Sequence, residues 1–106
     1  MGGRPMILEV ALLQIKPGDG HRFEQAFPQA EKVLVQAKGR LSHELRRCIE
    51  TPDRYLLLVR WETLEAHTEG FRGSPLFQQW RAVIGPFFDG APVVEHYEEL
   101  RGGAAA

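Results

Sequence analysis

Four histidines, one cysteine and a few charged residues on otherwise apolar faces are the side chains of this chain that could do chemistry. His67 follows Leu64 by three residues and precedes Phe71 by four, so on a helix the three share one stripe. An imidazole on such a stripe points inward, where it can take up a proton near neutral pH. It can equally be a structural histidine bonded to the sheet or a neighbouring helix. His43 and Arg47 lie on the apolar side of an alternating segment, within reach of a pocket or of a seam between subunits. Glu9 shares a strand face with Ile7, Ala11 and Leu13, and a carboxylate there wants a partner such as Arg60 or Arg47. His96, near the chain end, is expected at a subunit interface, and His21, in an exposed first helical turn, is expected to be inert. Trp61, Phe71, Phe77 and Trp80 can line an apolar ligand cleft. Plain core packing is the alternative, for Phe77 above all.

Other chemistries find no support. Cys48 has no histidine or acid at a telling spacing, so a nucleophile role is not expected. A single cysteine makes no internal disulfide and no cysteine-based zinc site, and it fits a reducing cytoplasm. The histidines are scattered and give no metal motif. Gly18-Asp19-Gly20 is a turn rather than a phosphate loop. Thirteen Lys and Arg against 14 Asp and Glu give a net charge of -1 with no basic stripe, so no nucleic-acid partner is expected. No apolar run is long enough to span a bilayer, and Met1-Gly2-Gly3-Arg4-Pro5 lacks the apolar core of a signal peptide.

The elements that must position these residues follow from periodicity. The length of 106 residues fits one domain, placed at residues 6–100, with tails at 1–5 and 101–106 expected to be flexible. Met6 to Ile15 is short and rich in Ile, Leu and Val, a strand. Phe23, Ala26, Phe27, Ala30, Val33, Leu34 and Ala37 recur at helical spacing and predict a helix over Asp19 to Lys38. Asp19 is its expected N-cap, Gly39 its stop, and Pro28 should kink it. Leu41 to Glu50 alternates, with Leu41, His43, Leu45, Arg47 and Ile49 on one side. Thr51-Pro52-Asp53 turns the chain into a second strand, Arg54 to Glu62, which forms a hairpin with the first. Thr63 caps a short helix, Ser74-Pro75 starts another that Gly85-Pro86 ends, and Pro92 to Leu100 is a last strand.

Strand, helix, strand, strand, broken helix, strand is the ferredoxin-like β-α-β-β-α-β order of an α+β domain, with a four-stranded antiparallel sheet. Its helices cover one sheet face. Yet Leu8, Val10 and Leu12 oppose Ile7, Ala11, Leu13 and Ile15 on the first strand, and Leu56-Leu57-Leu58-Val59 is apolar on both sides. Strands of that kind are normally buried on both faces, so a homodimer is expected, with a monomer that tolerates its extra leucines as the alternative.

Phe71-Arg72-Gly73-Ser74-Pro75-Leu76-Phe77-Gln78-Gln79-Trp80, after Trp61-Glu62-Thr63-Leu64-Glu65-Ala66-His67, resembles the signature of the antibiotic biosynthesis monooxygenase (ABM) family. Leu13-Gln14-Ile15-Lys16-Pro17-Gly18 and Val94-Glu95-His96-Tyr97-Glu98 fit as well. The resemblance implies a dimeric α+β barrel, in which two such sheets face each other, with a pocket inside each subunit between sheet and helices. It implies a monooxygenase that needs no metal or organic cofactor and acts on a small aromatic or quinol-type compound. His67 would be its base, with Trp61, Phe71, Phe77, Trp80, His43 and Arg47 around the substrate. Removing a phenolic proton enriches the ring enough to give an electron to oxygen directly. In haem-degrading relatives a histidine and a tryptophan stand where this chain has Arg81 and Phe71, and arginine has no lone pair for iron. A non-catalytic binding or stress-associated homodimer is the alternative function, and an isomerase or lyase on the same barrel is a third.

Overall fold

Apolar alternation and helical periodicity resolve into eight elements in a computed structural model that describes residues 6–103. The tail expected at 1–5 and the last three residues of the other lie outside the described residues; 101–103 are exposed and irregular. β1 (Ile7–Gln14) leads to α1 (Gly20–Leu34), then to the hairpin of β2 (Arg40–Arg47) and β3 (Arg54–Trp61). A π-helix (Ala66–Phe71), α2 (Pro75–Ile84) and a 3-10 turn (Gly85–Phe87) precede β4 (Val93–Glu98). The sheet order is β2-β3-β1-β4 with every neighbour antiparallel. The ferredoxin-like α+β order read from the sequence is the one formed.

Register assigns each sheet face. Glu9, Ala11 and Leu13 on β1 and Tyr55, Leu57, Val59 and Trp61 on β3 are buried beneath the helices. α1 answers with Phe23, Phe27, Ala30 and Leu34, and α2 with Trp80 and Ile84. The two helices pack on each other, with Phe27 and Trp80 edge to face at 5.9 Å. On the opposite face Leu8, Val10 and Leu12 run beside Leu56 and Leu58, and Val93 and Tyr97 of β4 are 55% and 51% exposed. That face carries no helix.

Several boundaries differ from the sequence reading, each for a local reason. α1 stops at Leu34, and Val35–Gly39 is a turn that ends on Gly39 at φ +90°. Pro28 sits inside α1 on its exposed side, and the helix continues through it. Residue Leu41 is an extra residue in a bulge between Arg40 and Ser42, so Arg40 rather than Leu41 pairs with Trp61. β2 ends at Arg47 instead of Glu50, which leaves Ile49 94% exposed in a bend. β4 is likewise shorter than Pro92 to Leu100. Ser74 is at the N-cap of α2, but its hydroxyl donates back to the Phe71 carbonyl at 2.8 Å.

The cap of α1 also comes from elsewhere. Asp19 makes no side-chain cap bond. Asp53, in the hairpin turn 33 residues away from Gly20, accepts from the amides of Gly18 and Gly20 at 3.1 Å each. A carboxylate at the positive end of a helix is doubly suited, as acceptor and as charge. Gly20 is required there: a Cβ would lie 2.7 Å from Asp53 Oδ1 and 2.8 Å from Tyr55 Oη. Asp53 itself holds φ +59°, which Asn tolerates better than Ala. We therefore expect Asp53→Ala to cost about 1–2 kcal/mol in urea unfolding and Asp53→Asn clearly less. Equal losses for the two would show that the side-chain oxygen is not the cap.

Candidate active site

Strand alternation sets Glu9 on the helix-covered face, opposite Val59 on β3 and His96 on β4. A neighbouring position on the same face is Trp61, the last residue of β3. The chain then needs a turn that returns a side chain over this spot. Thr63 Oγ1 caps the turn by accepting from Ala66 N at 3.0 Å. The following helix is of the wide π type, closed by Arg72 N to His67 O at 3.0 Å, five residues back. That winding buries His67 and Phe71 while Leu64, expected on the same stripe, is exposed. Gly73 is needed at the exit, where a Cβ would lie 2.5 Å from the Glu69 carbonyl oxygen.

The result is a buried polar cluster among aromatic rings. Glu9 is 6% exposed and His67 3%. Trp61 Nε1 donates to Glu9 Oε1 at 2.9 Å, and His67 Nε2 approaches the same oxygen at 3.4 Å. The rings of Trp61 and His67 stack, 5.0 Å apart and 16° from parallel. His67 Nδ1 and His96 Nε2 are 2.7 Å apart, so one of them donates to the other. With Glu9 facing Nε2, the favoured tautomer of His67 carries its proton there and accepts from His96 Nε2–H.

Burial governs the protonation of the cluster. It pushes the His67 imidazole down to about 3, helped by the positive charges of Arg72 and His96. His96 is lowered by burial and by Arg72. Burial raises the Glu9 carboxyl, against the opposing pull of the Trp61 N–H and Arg72. His67 is thus neutral at physiological pH, and its contact with Glu9 is polar rather than an ion pair, in keeping with its 3.4 Å length.

The cluster stands at the wall of a cleft of about 1110 Å³ between sheet and helices. Glu9, His67 and Arg72 are its polar lining on this side; Phe71, Phe77 and Trp80 line it from the helices, and Ala11, Leu13 and Val59 from the sheet. Arg81 lies at the same cleft with its guanidinium 5.8 Å from the Phe77 ring centre. Trp61 is outside the lining, behind His67.

Four expectations are corrected. His43 and Arg47 do not reach this cleft: they face α1, where His43 Nε2 contacts Glu31 at 2.7 Å and Arg47 Nε donates to Glu24 at 2.9 Å. Arg47 borders a separate hollow of about 340 Å³ with Tyr55. Neither Arg60 nor Arg47 pairs with Glu9, because Arg60 lies on the opposite sheet face and donates to Glu44 at 3.3 Å. His96, expected at a subunit interface, is half-buried and meets His67 on the helix-covered face of the sheet. The place of Glu9 beside His67 was not foreseen, although the sequence marks it as an acid on the inward face of its strand.

Proton linkage gives this cluster a measurable signature. The unfolded chain binds a proton at His67 below its ordinary 6.5, and the folded chain does so only near 3. Stability should therefore fall as pH drops through that window. The raised Glu9 carboxyl acts in the opposite sense just above its ordinary 4.5, and the lowered His96 in the same sense as His67. Urea midpoints measured between pH 6.5 and about 3 should fall more steeply for the wild type than for His67→Gln. Identical slopes would mean that His67 is protonated in the fold.

Among the described residues no three His, Cys, Asp or Glu side chains are grouped to hold a metal ion, and no helix is long and apolar enough to cross a membrane. The chain is 47% identical over 95 residues to the uncharacterised protein YczJ of Bacillus subtilis strain 168, covering 90% of this chain and 100% of that one. A Bordetella bronchiseptica crystal structure classed with the antibiotic biosynthesis monooxygenases superposes with a TM-score of 0.88 at 38% identity, covering 92% of this chain and all of that one. SnoaB, a cofactor-independent oxygenase from Streptomyces nogalater, shares the fold at a TM-score of 0.77 and 14% identity, over 92% and 96% of the two chains. The sequence profile of one family, antibiotic biosynthesis monooxygenase, matches residues 6–83. The protein belongs to the antibiotic biosynthesis monooxygenase family.

Proposed function

We propose that this protein is a cofactor-independent monooxygenase that oxidises a small aromatic or quinol-type compound in the cleft beneath its helices. One observation carries the reading: the buried pair Glu9 and His67, the latter bonded to the half-buried His96, at the wall of a cleft that also holds aromatic rings. Such a cleft holds a flat ring by Phe71, Phe77 and Trp80 and offers its hydroxyl a proton acceptor at Glu9 and His67. Loss of the hydroxyl proton leaves an aryloxide, which passes electrons to molecular oxygen. The substrate supplies four electrons in all; one oxygen atom enters the ring as a carbonyl and the other leaves as water. SnoaB, of the same fold, is a cofactor-independent oxygenase, and this supports the choice of reaction class.

His67 stands at the centre of the cluster. His67→Ala should lower oxygen uptake with a panel of hydroquinones and naphthols at least about 100-fold. The variant should sediment as the wild type does. Unchanged turnover would remove His67 from the mechanism. Product formed without oxygen uptake would mark an isomerase or lyase, and binding without turnover a non-catalytic member of the family.

The same reading includes a homodimer closed sheet to sheet, and a reducing cytoplasm as the setting of the unpaired Cys48. The uncovered face supports the dimer: Leu8, Val10, Leu12, Leu56 and Leu58 form a stripe along the two central strands, with Glu44, Arg46 and Arg60 at its side. Leu58→Glu would place a second carboxylate opposite Glu44 and next to Val10. At micromolar concentration the wild type should sediment as a dimer and Leu58→Glu as a monomer. A folded wild-type monomer would end this part of the proposal.

A further inference from the structure

We infer that Glu9 is the catalytic base of this cleft: Trp61 Nε1 donates to its Oε1 at 2.9 Å, with His67 Nε2 beside the same oxygen at 3.4 Å, which leaves Oε2 to take the proton of a substrate hydroxyl. The inference rests on the reading of the cleft as a site for hydroxylated aromatic compounds, and it names the atom that meets them.

The two members of the cluster that line the cleft differ in what they have left to offer. His67 Nδ1 is hydrogen-bonded with His96, and its Nε2 lies 3.4 Å from Glu9 Oε1 and is turned toward it. To receive a substrate proton His67 would first have to abandon one of these contacts. Glu9 has two oxygens and uses one. Among the described residues no group hydrogen-bonds Oε2. Nor is that oxygen sealed in the protein: among the described residues the one fully enclosed side-chain polar atom without a partner is Arg40 Nε. Glu9 lines the cleft, so its free oxygen is open to whatever occupies it.

The surroundings suit proton transfer. The step is a balanced exchange in which the hydroxyl O–H bond breaks, an O–H bond forms on Glu9, and the pair of electrons stays on the substrate oxygen. Burial favours the uncharged carboxylic acid that results. The positive Arg72, which also lines the cleft, favours the aryloxide. His67 and His96 act as positioning residues: the second fixes the ring of the first, and the first steadies Glu9 Oε1. The charged and titratable groups that face Glu9 are His67 on the π-helix, Arg72 after it and His96 on β4, with Arg81 of α2 at the same cleft.

Binding of 1-naphthol and of 1-methoxynaphthalene, followed by titration calorimetry on the full chain, isolates the hydroxyl. While Glu9 is ionised, a hydrogen bond to it should give the wild type a preference for 1-naphthol of about tenfold or more. Glu9→Gln keeps the Trp61 bond through its carbonyl oxygen and puts a donor NH2 where Oε2 stood, so the preference should vanish. His67→Gln leaves the carboxylate in place and should keep most of it. The wild type alone provides a second test. Its preference should disappear as pH falls and Glu9 takes up a proton, while binding of the methyl ether holds steady. A wild type that binds neither probe or does not discriminate overturns the inference. So does a Glu9→Gln that still discriminates, or a preference lost in His67→Gln and kept in Glu9→Gln. Discrimination by Glu9 together with no oxygen uptake from any quinol would leave Glu9 as the hydroxyl acceptor and retire the monooxygenase reading.

Discussion

A carboxylate removed from water must be met by donors or by charge, and the site depends on how Glu9 meets that demand. Its donor is the indole N–H of Trp61, 52 residues further along the chain. This bond ties the inner face of β1 to the end of β3 where the chain leaves the sheet. It also fixes the plane of the indole, on which His67 stacks. One buried acceptor therefore orders three side chains from three elements, and no ion pair is needed to do it.

The π-helix is the backbone counterpart of that arrangement. An α-helical turn in the same place would rotate successive side chains by about 100° and carry Phe71 and His67 around a tighter cylinder. The wider winding, closed by the bond from Arg72 N to His67 O, turns both rings to the sheet. Phe71 then stands edge-on to Phe77 and to Trp80, which joins the site to the packing of α2. π segments are rare and recur at functional sites, in line with a geometry held for a ligand rather than for helix stability.

The order of elements was legible in the sequence because each is amphipathic on its own period. What stayed hidden was long-range. The pairing of Glu9 with Trp61 and the cap that Asp53 gives α1 join residues dozens of positions apart, and no local pattern announces either. The wish for a cation at Glu9 was sound physics with the wrong partner, since an indole donor meets the same need at lower desolvation cost. His43 and Arg47 share the apolar side of β2 as read, but β2 is an edge strand lying beside α1, so their side chains meet Glu31 and Glu24 before any cleft. The bulge at Leu41 reset one position of the alternation. The burial of His67 was legible because its spacing from Phe71 is local; its contact with His96 was not, because strand register is not.

The two faces of β1 link chemistry to assembly. Glu9 points beneath the helices, while Leu8 and Val10 on either side of it point to the uncovered face. In the proposed dimer those neighbours would be packed against the partner sheet, and the backbone that carries Glu9 would be held from both sides. A carboxylate that must keep one oxygen fixed and the other free needs such a backbone, because a small rotation would exchange the two. In that dimer, burial of Leu8 and Val10 would bear on the proposed role of Glu9 without touching the cleft. Assembly and acid–base function would then share one strand, with apolar residues on both its faces and Glu9 on the face beneath the helices.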